Sequence, residues 1–125
     1  MALGEILSYR DLKVWQRSMS LAEDAYRLTA SYPREEQFSL TSQTRRAATS
    51  VPANISEGYG RDSRASYVQF LRIAQGSLKE LETHLILAER VKAAPKGSTA
   101  SLLEDADQIG KMLRSLINTL KTPKP

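Results

Sequence analysis

Five basic residues have the clearest chemical potential in this sequence, because together they could contact the phosphate groups of a nucleic acid. They are Arg45, Arg61, Arg64, Arg72 and Lys79. The last four recur at the spacing of one helix face, and an antiparallel hairpin that turns near residue 60 would bring Arg45 toward Arg72 and Lys79. Two interpretations stay open. One is a basic groove that binds RNA or DNA, and the other is a solvated face whose cations pair locally, as Lys79 could with Glu82.

Catalytic and metal chemistry have little support in the sequence. The chain has no Cys, which excludes cysteine nucleophiles and thiolate metal sites. Its single histidine, His84, follows Glu80 by four residues, a spacing more typical of a hydrogen bond on a helix surface than of a metal site. No Ser-His-Asp pattern with a nucleophile elbow occurs, and the glycines of 58–60 are better explained by a helix end than by a phosphate-binding loop. The sequence therefore predicts no catalytic residue, no metal ligand and no cofactor.

A second set of unusual residues lies in the stretch 40–60, which otherwise has the apolar spacing of a helix. They are Arg46, Pro52, Asn54, Glu57 and Gly58. Pro52 removes one backbone donor and predicts a kink rather than a stop, and we expect Asn54 to satisfy the backbone groups that Pro52 frees. Glu57 is predicted to pair with a cation or to cap the next turn. Gly58 is predicted to help supply a left-handed residue at the helix end. We assign this set to structure.

The two adjacent arginines of this stretch cannot have the same role, because neighbouring residues differ by about 100° around a helix. Arg46 comes level with Glu23 and Asp24 if the first two helices are antiparallel. We therefore predict a salt bridge for Arg46 and expect Arg45 to be the freer of the two cations.

Length and composition place these residues in one ordinary globular domain. The chain has 125 residues, of which 41% are hydrophobic and 26% charged, and both fractions are typical of soluble proteins. The net charge is +4, but the charges are spread along the chain and form no basic tail. The start of the chain has no basic n-region, and no apolar run approaches the length of a transmembrane helix. We expect a cytoplasmic protein without a membrane role.

Hydrophobic periodicity predicts an all-α fold, an antiparallel up-down-up-down four-helix bundle. The predicted helices cover about residues 12–31, 39–58, 63–92 and 99–121. They form one bundle over 11–121, preceded by a mobile lead-in over 1–10 and followed by a frayed tail over 122–125. Ser8 and Asp11 have capping-box spacing just before the first helix.

The first and third helices each carry two apolar rows, which is more than a small bundle needs. On the first helix we expect the row that begins with Leu12 and Trp15 to line the core. The parallel row that begins with Val14 and Ser18 is then either partly buried or part of an interface between subunits. On the third helix the row through Leu71 and Leu78 is the predicted core, and a second row begins at Phe70.

Several blocks of the sequence together resemble a known family. They are RDLKVWQ (10–16), LTSQ (40–43), RRA (45–47), VPANI (51–55), EG (57–58), FLRIA (70–74), GSL (76–78) and ELET (80–83). This pattern resembles the bacterial four-helix-bundle proteins encoded by intervening sequences within 23S ribosomal RNA genes, also labelled S23 ribosomal proteins. The resemblance runs from about residue 8 to residue 121. Ser39 and Thr44 depart from it, since relatives have Gly and a larger apolar residue there.

The resemblance implies a four-helix bundle that assembles into a ring-like homopentamer. It also implies distant kinship with the accessory variability protein of diversity-generating retroelements, a basic pentamer that binds nucleic acid and a reverse transcriptase. Relatives of the first kind have no established activity, and despite the label they are not regarded as components of the ribosome.

These observations lead to one functional hypothesis and one alternative. The hypothesis is a non-enzymatic homo-oligomer, pentameric by resemblance, that presents a basic surface to RNA or DNA. The alternative is a protein–protein interaction scaffold with no nucleic-acid role, whose partner could be a protein such as a reverse transcriptase. An enzyme is the third class, disfavoured because no catalytic constellation is present.

Overall fold

The computed structural model describes residues 6–122, and within this range it contains helices and no strand. The four long helices are α1 (Lys13–Thr29), α2 (Leu40–Tyr59), α3 (Arg64–Arg90) and α4 (Ala100–Lys121). Each begins one residue after its predicted start. The helices pack as neighbours around a square: α1 contacts α2 and α4, and α3 contacts α2 and α4. The predicted four-helix bundle is confirmed. Most of the predicted lead-in and tail lies outside the described residues.

The chain enters the bundle through a short 3-10 turn rather than directly through α1. Ser8 and Asp11 form the predicted capping box, but it closes the turn Tyr9–Asp11. Leu12 then takes an extended conformation, and α1 begins at Lys13. The predicted capping box is therefore present, but it begins a 3-10 turn and not helix α1.

The core face of α1 is centred on the second apolar row, about 100° around the helix from the row predicted. The row of Val14, Ser18, Leu21 and Ala25 is buried in the bundle, whereas Trp15 of the predicted row is only partly buried and packs against the edge of the core. Two of its four side chains, Ser18 and Ala25, are small and let the neighbouring helices approach closely. The Ser18 hydroxyl, 1% exposed, donates to the Val14 carbonyl oxygen over 2.6 Å, so its burial leaves no unpaired donor.

Helix α2 continues through Pro52, as predicted. The carbonyl freed by the missing amide is that of Ala48, four residues earlier. Asn54 does not reach it, because its Nδ2 donates to the Ser50 carbonyl oxygen (2.8 Å) and to Ser50 Oγ (3.0 Å). Ser50 Oγ in turn lies 2.7 Å from Ser77 Oγ. Asn54 therefore belongs to a polar contact between α2 and α3, and the role predicted for it is wrong.

Gly58 is needed for close packing and not for a left-handed conformation. It lies inside α2, and the positive-φ residues in the described part of the chain are Lys92 and Gly97. A Cβ at position 58 would come within 2.8 Å of Phe70 Cβ and 3.2 Å of the Tyr67 carbonyl oxygen. The left-handed role predicted for Gly58 is therefore wrong. A glycine is required here because α2 and α3 meet without room for a side chain.

We expect Gly58→Ala to lower the free energy of unfolding by about 1–3 kcal/mol, because the added methyl group overpacks a rigid contact. Urea denaturation followed by circular dichroism measures the change. Gly60→Ala is the matched control, since a Cβ there has its nearest neighbour at 3.6 Å. Equal stability of both variants and the wild type would contradict the packing explanation.

A carboxylate from α3 holds the loop that leads into α4. Glu89 accepts hydrogen bonds from the Gly97 amide (2.9 Å) and the Thr99 amide (3.2 Å), and also from the Thr99 hydroxyl. These bonds, above all the one from the Thr99 side chain, lower the pKa of Glu89 below its ordinary value. Thr99 makes no side-chain cap of its own, so Glu89 supplies the anchor for the start of α4.

This arrangement predicts a pH dependence of stability. Because the pKa of Glu89 is lower in the folded than in the unfolded chain, its contribution is fully present above the unfolded value of 4.5 and is lost as pH falls through the folded value. We expect Glu89→Gln to unfold at lower urea concentration than the wild type at pH 7, and the difference to shrink below about pH 4. A difference that stays constant from pH 7 to pH 3 would exclude this role for the carboxylate.

Candidate nucleic-acid interface

Several cations line a groove between α3 and α4. Its central part has a volume of about 440 Å³. Its walls are Arg72, Gln75, Gly76, Leu78 and Lys79 of α3 and Asp107, Gly110, Lys111 and Arg114 of α4. Because the two helices are consecutive and antiparallel, cations on the outward edges of both reach the same cleft.

The groove continues toward the start of α3 and the end of α4. This second part has a volume of about 430 Å³ and is lined by Arg64, Val68, Arg72 and Lys121, among others. Arg72 lines both parts, which joins them into one surface. We call this surface the basic groove, and its six cations are Arg64, Arg72, Lys79, Lys111, Arg114 and Lys121. From Arg64 to Lys79 it follows α3 for about 22 Å at 1.5 Å per residue.

Few carboxylates neutralise the basic groove. Asp107 lies 3.3 Å from Lys111, and Glu82 lies 3.1 Å from Lys79. Arg64, Arg72 and Arg114 form no salt bridge with any residue in 6–122. The local pairing predicted for Lys79 is present, but it does not extend to the three arginines.

Arg61 lies away from this groove. Its guanidinium is 3.4 Å from Glu57 Oε1 and 4.6 Å from the centre of the Phe70 ring, on the side of α3 that faces α2. Arg61 does not share the basic face of α3 as predicted, because α3 begins three residues later, at Arg64. The contact confirms the prediction that Glu57 pairs with a cation near the turn between α2 and α3.

Arg45 is also held elsewhere, on the α1 side of α2. Its Nε donates to Thr29 Oγ1 over 2.8 Å, and its guanidinium lies 4.5 Å from the centre of the Tyr26 ring. Arg46 is exposed and forms no salt bridge with Glu23 or Asp24, its two predicted partners; Asp24 pairs with Arg27 at 3.0 Å instead. The roles predicted for the two arginines are therefore reversed, because α2 is rotated so that Arg45 points at the end of α1.

The structure thus brings three of the five predicted cations together and adds three that sequence reasoning missed. The missed residues are Lys111, Arg114 and Lys121. A signal for them was present, since they recur at 3- and 7-residue intervals on one face of α4. Spacing within α4 does not show that α4, rather than α2, is the helix that faces the cations of α3.

The opposite side of the bundle carries an apolar groove between α1 and α2, with a volume of about 630 Å³. Its apolar lining residues are Tyr9, Trp15, Met19, Ala22, Tyr26, Pro52 and Ala53. These include the α1 row that was predicted to line the core. On α3 the second apolar row also faces outward, with Ile73 47%, Leu87 44% and Val91 55% exposed.

Nothing in the described residues assembles a metal centre. No group of three or more His, Asp or Glu side chains there is close enough to hold an ion. His84 Nε2 lies 3.6 Å from Glu80 Oε2, within one helix. None of the described helices has the length and apolar character needed to cross a membrane.

Comparisons with known proteins agree on one family. The sequence model described as 23S rRNA-intervening sequence protein matches residues 10–115. Among solved structures, the chain is similar to a protein of unknown function from the S23 ribosomal protein family of Bacteroides thetaiotaomicron VPI-5482. The two are 29% identical with a TM-score of 0.75, over 87% of this chain and 99% of that one. No curated protein matches the chain.

Proposed function

The chain belongs to the 23S rRNA-intervening sequence protein family, and on that premise we propose that it is a non-enzymatic, cytoplasmic homo-oligomer whose basic groove binds RNA or DNA. The relative of solved structure has no known function, so the proposal depends on this chain's own residues. Over residues 6–122 they offer cations on a defined surface and no catalytic constellation.

The observation that carries the proposal is the convergence of cations from two helices on one groove. Six basic side chains line it, and Asp107 is the one carboxylate among its described lining residues. Like charges placed side by side repel one another and destabilise the fold. An anionic ligand removes that repulsion, and a nucleic-acid strand supplies regularly spaced phosphates along a groove about 22 Å long.

Fluorescence anisotropy with labelled RNA and DNA oligonucleotides tests the proposal. We expect binding at low salt, with the logarithm of the association constant falling linearly with the logarithm of salt concentration at a slope of about −3 to −5 for five contacted phosphates. The absence of binding at low salt, or binding that does not respond to salt, would refute it.

Self-association is the second part of the proposal. Exposed apolar side chains occupy two different faces of the bundle, the apolar groove and the outer row of α3 that contains Ile73, Leu87 and Val91. Pairing one face with the other in the next copy makes a head-to-tail contact, which closes into a ring when the rotation allows. The resemblance implies five copies. A ring would repeat the basic groove and raise the affinity for a long strand by avidity.

Sedimentation velocity tests the assembly directly. We expect a single species several times the 13.9 kDa mass of the chain at micromolar concentration. A monomer under these conditions would refute self-association without affecting the proposed binding of short oligonucleotides.

The apolar groove also favours a second candidate function, a protein–protein interaction scaffold. Its aromatic lining, with Tyr9, Trp15 and Tyr26, is typical of protein interfaces. The resemblance implies distant kinship with a protein that binds a reverse transcriptase, which makes a reverse transcriptase one candidate partner. Charge reversal at Arg72 and Lys79 separates the two functions, because it should abolish retention of nucleic acid and leave capture of a protein partner intact.

A further inference from the structure

Two glycines lie opposite each other in the walls of the basic groove. Gly76 is in the middle of α3 and Gly110 in the middle of α4. Glycine inside a helix is unfavourable relative to alanine, because it loses more conformational freedom on folding. A glycine in such a position therefore needs a reason, either in the fold or in what the surface contacts.

The fold does not supply that reason. A Cβ built on Gly76 would have no atom within 4 Å, and one on Gly110 would have Leu78 Cδ2 as its nearest neighbour at 3.6 Å, an ordinary van der Waals contact. Neither residue has a positive φ. Gly58 differs from both, since a Cβ there would collide with α3 at 2.8 Å.

The cations of the groove surround this bare surface. Arg72 and Lys79 are four residues before and three after Gly76, so they lie one turn away on the same face of α3. On α4, Arg114 lies one turn after Gly110 and Lys111 directly follows it, while Asp107 lies one turn before it; all four cations and Asp107 line the central part of the groove. The backbone between them is thus open to a ligand that the four side chains can hold by charge.

We propose that Gly76 and Gly110 form the floor of the basic groove, on which one phosphodiester strand lies close to the helix backbones between the four flanking cations. This inference rests on the proposed function and adds the point of closest contact. The groove is a surface cleft between two packed helices whose axes are about 8–10 Å apart, so it is wide enough for contact with one strand at a time. A methyl group at the floor would lift the strand by about 1.5 Å, enough to lengthen and weaken charge-assisted hydrogen bonds to its phosphates.

The test compares the wild type with Gly76→Ala, Gly110→Ala and the double variant. We expect each alanine to raise the melting temperature by a few degrees, and the double variant to bind a single-stranded 20-mer about tenfold more weakly. The salt slope should be unchanged, since no charge is removed. Gly60→Ala, away from the groove and without a close neighbour, should bind as the wild type does.

The outcomes separate the two proposals. If the wild type binds and the double variant binds equally well, the floor is overturned and the proposed function stands. If the wild type does not bind, both are overturned. A parallel titration with a hairpin of the same length identifies the source of the strand: a matching loss of affinity assigns the floor to one strand of a duplex as well, and a loss restricted to the 20-mer assigns it to single-stranded nucleic acid.

Discussion

Replacing both Arg72 and Arg114 with glutamate is expected to weaken the binding of RNA and DNA by roughly a hundredfold or more. Each arginine lines the central part of the basic groove from a different helix, and neither forms a salt bridge with another residue in 6–122. A hydrogen bond to a charged group contributes about 1.5–3 kcal/mol, so two lost contacts account for a hundredfold or more. The introduced carboxylates add repulsion of the phosphates.

The salt dependence provides a second readout for the same variant. Because two phosphate contacts disappear, we expect the slope of the logarithm of affinity against the logarithm of salt to become shallower by about 2. Arg72 and Arg114 are both exposed and lie outside the core. The thermal stability should therefore stay close to that of the wild type or rise slightly, since repulsion within the groove is relieved.

The matched control reverses the same amount of charge away from the groove. Arg46 is exposed on α2, and Arg61 is held by Glu57 and Phe70. The Arg46→Glu, Arg61→Glu variant has the same net charge as the test variant, and we expect it to bind within a few-fold of the wild type. Equal losses in both double variants would mean that net charge, rather than the basic groove, governs binding.

Two carboxylates placed in the apolar groove are expected to convert the oligomer into monomers. Met19 and Ala53 are exposed in the single chain and line the groove from α1 and α2, so Met19→Glu and Ala53→Glu do not disturb the core. In an assembly that covers the groove, the same carboxylates would be buried without partners, which costs several kcal/mol. Sedimentation velocity at micromolar concentration should then report a species near the 13.9 kDa of one chain.

Ile86→Glu is the control for this experiment. Ile86 is 45% exposed on α3 and lines neither the apolar groove nor the outer row of α3. We expect the Ile86→Glu variant to form the same oligomer as the wild type. An unchanged oligomer in the Met19→Glu, Ala53→Glu variant would show that the groove is free in the assembly, and would favour its use by another protein. If the assembly does dissociate, affinity for a long strand should fall while affinity for a short oligonucleotide stays the same.

The fold class could be predicted because the signal for it is local. Leu71, Leu78, Leu81 and Leu85 follow the helical period along α3, and the structure buries all of them. The face of α1 could not be predicted in the same way, since α1 has two apolar rows of similar period. The row of Val14, Ser18, Leu21 and Ala25 is the one buried, and hydropathy does not distinguish it from the other row, since both contain strongly apolar side chains.

The same distinction applies to the candidate site, part of which follows from local spacing and part from packing. Spacing alone placed Arg64, Arg72 and Lys79 on one face of α3, since helix geometry fixes which side chains share a face. It could not show that α4 provides the facing cations, or that Thr29 and Tyr26 hold Arg45. Those facts depend on how each helix is rotated against its neighbours, which results from the packing of all four helices together. The sequence by itself determined the helices, the bundle and the family, and the tertiary structure decided which cations meet.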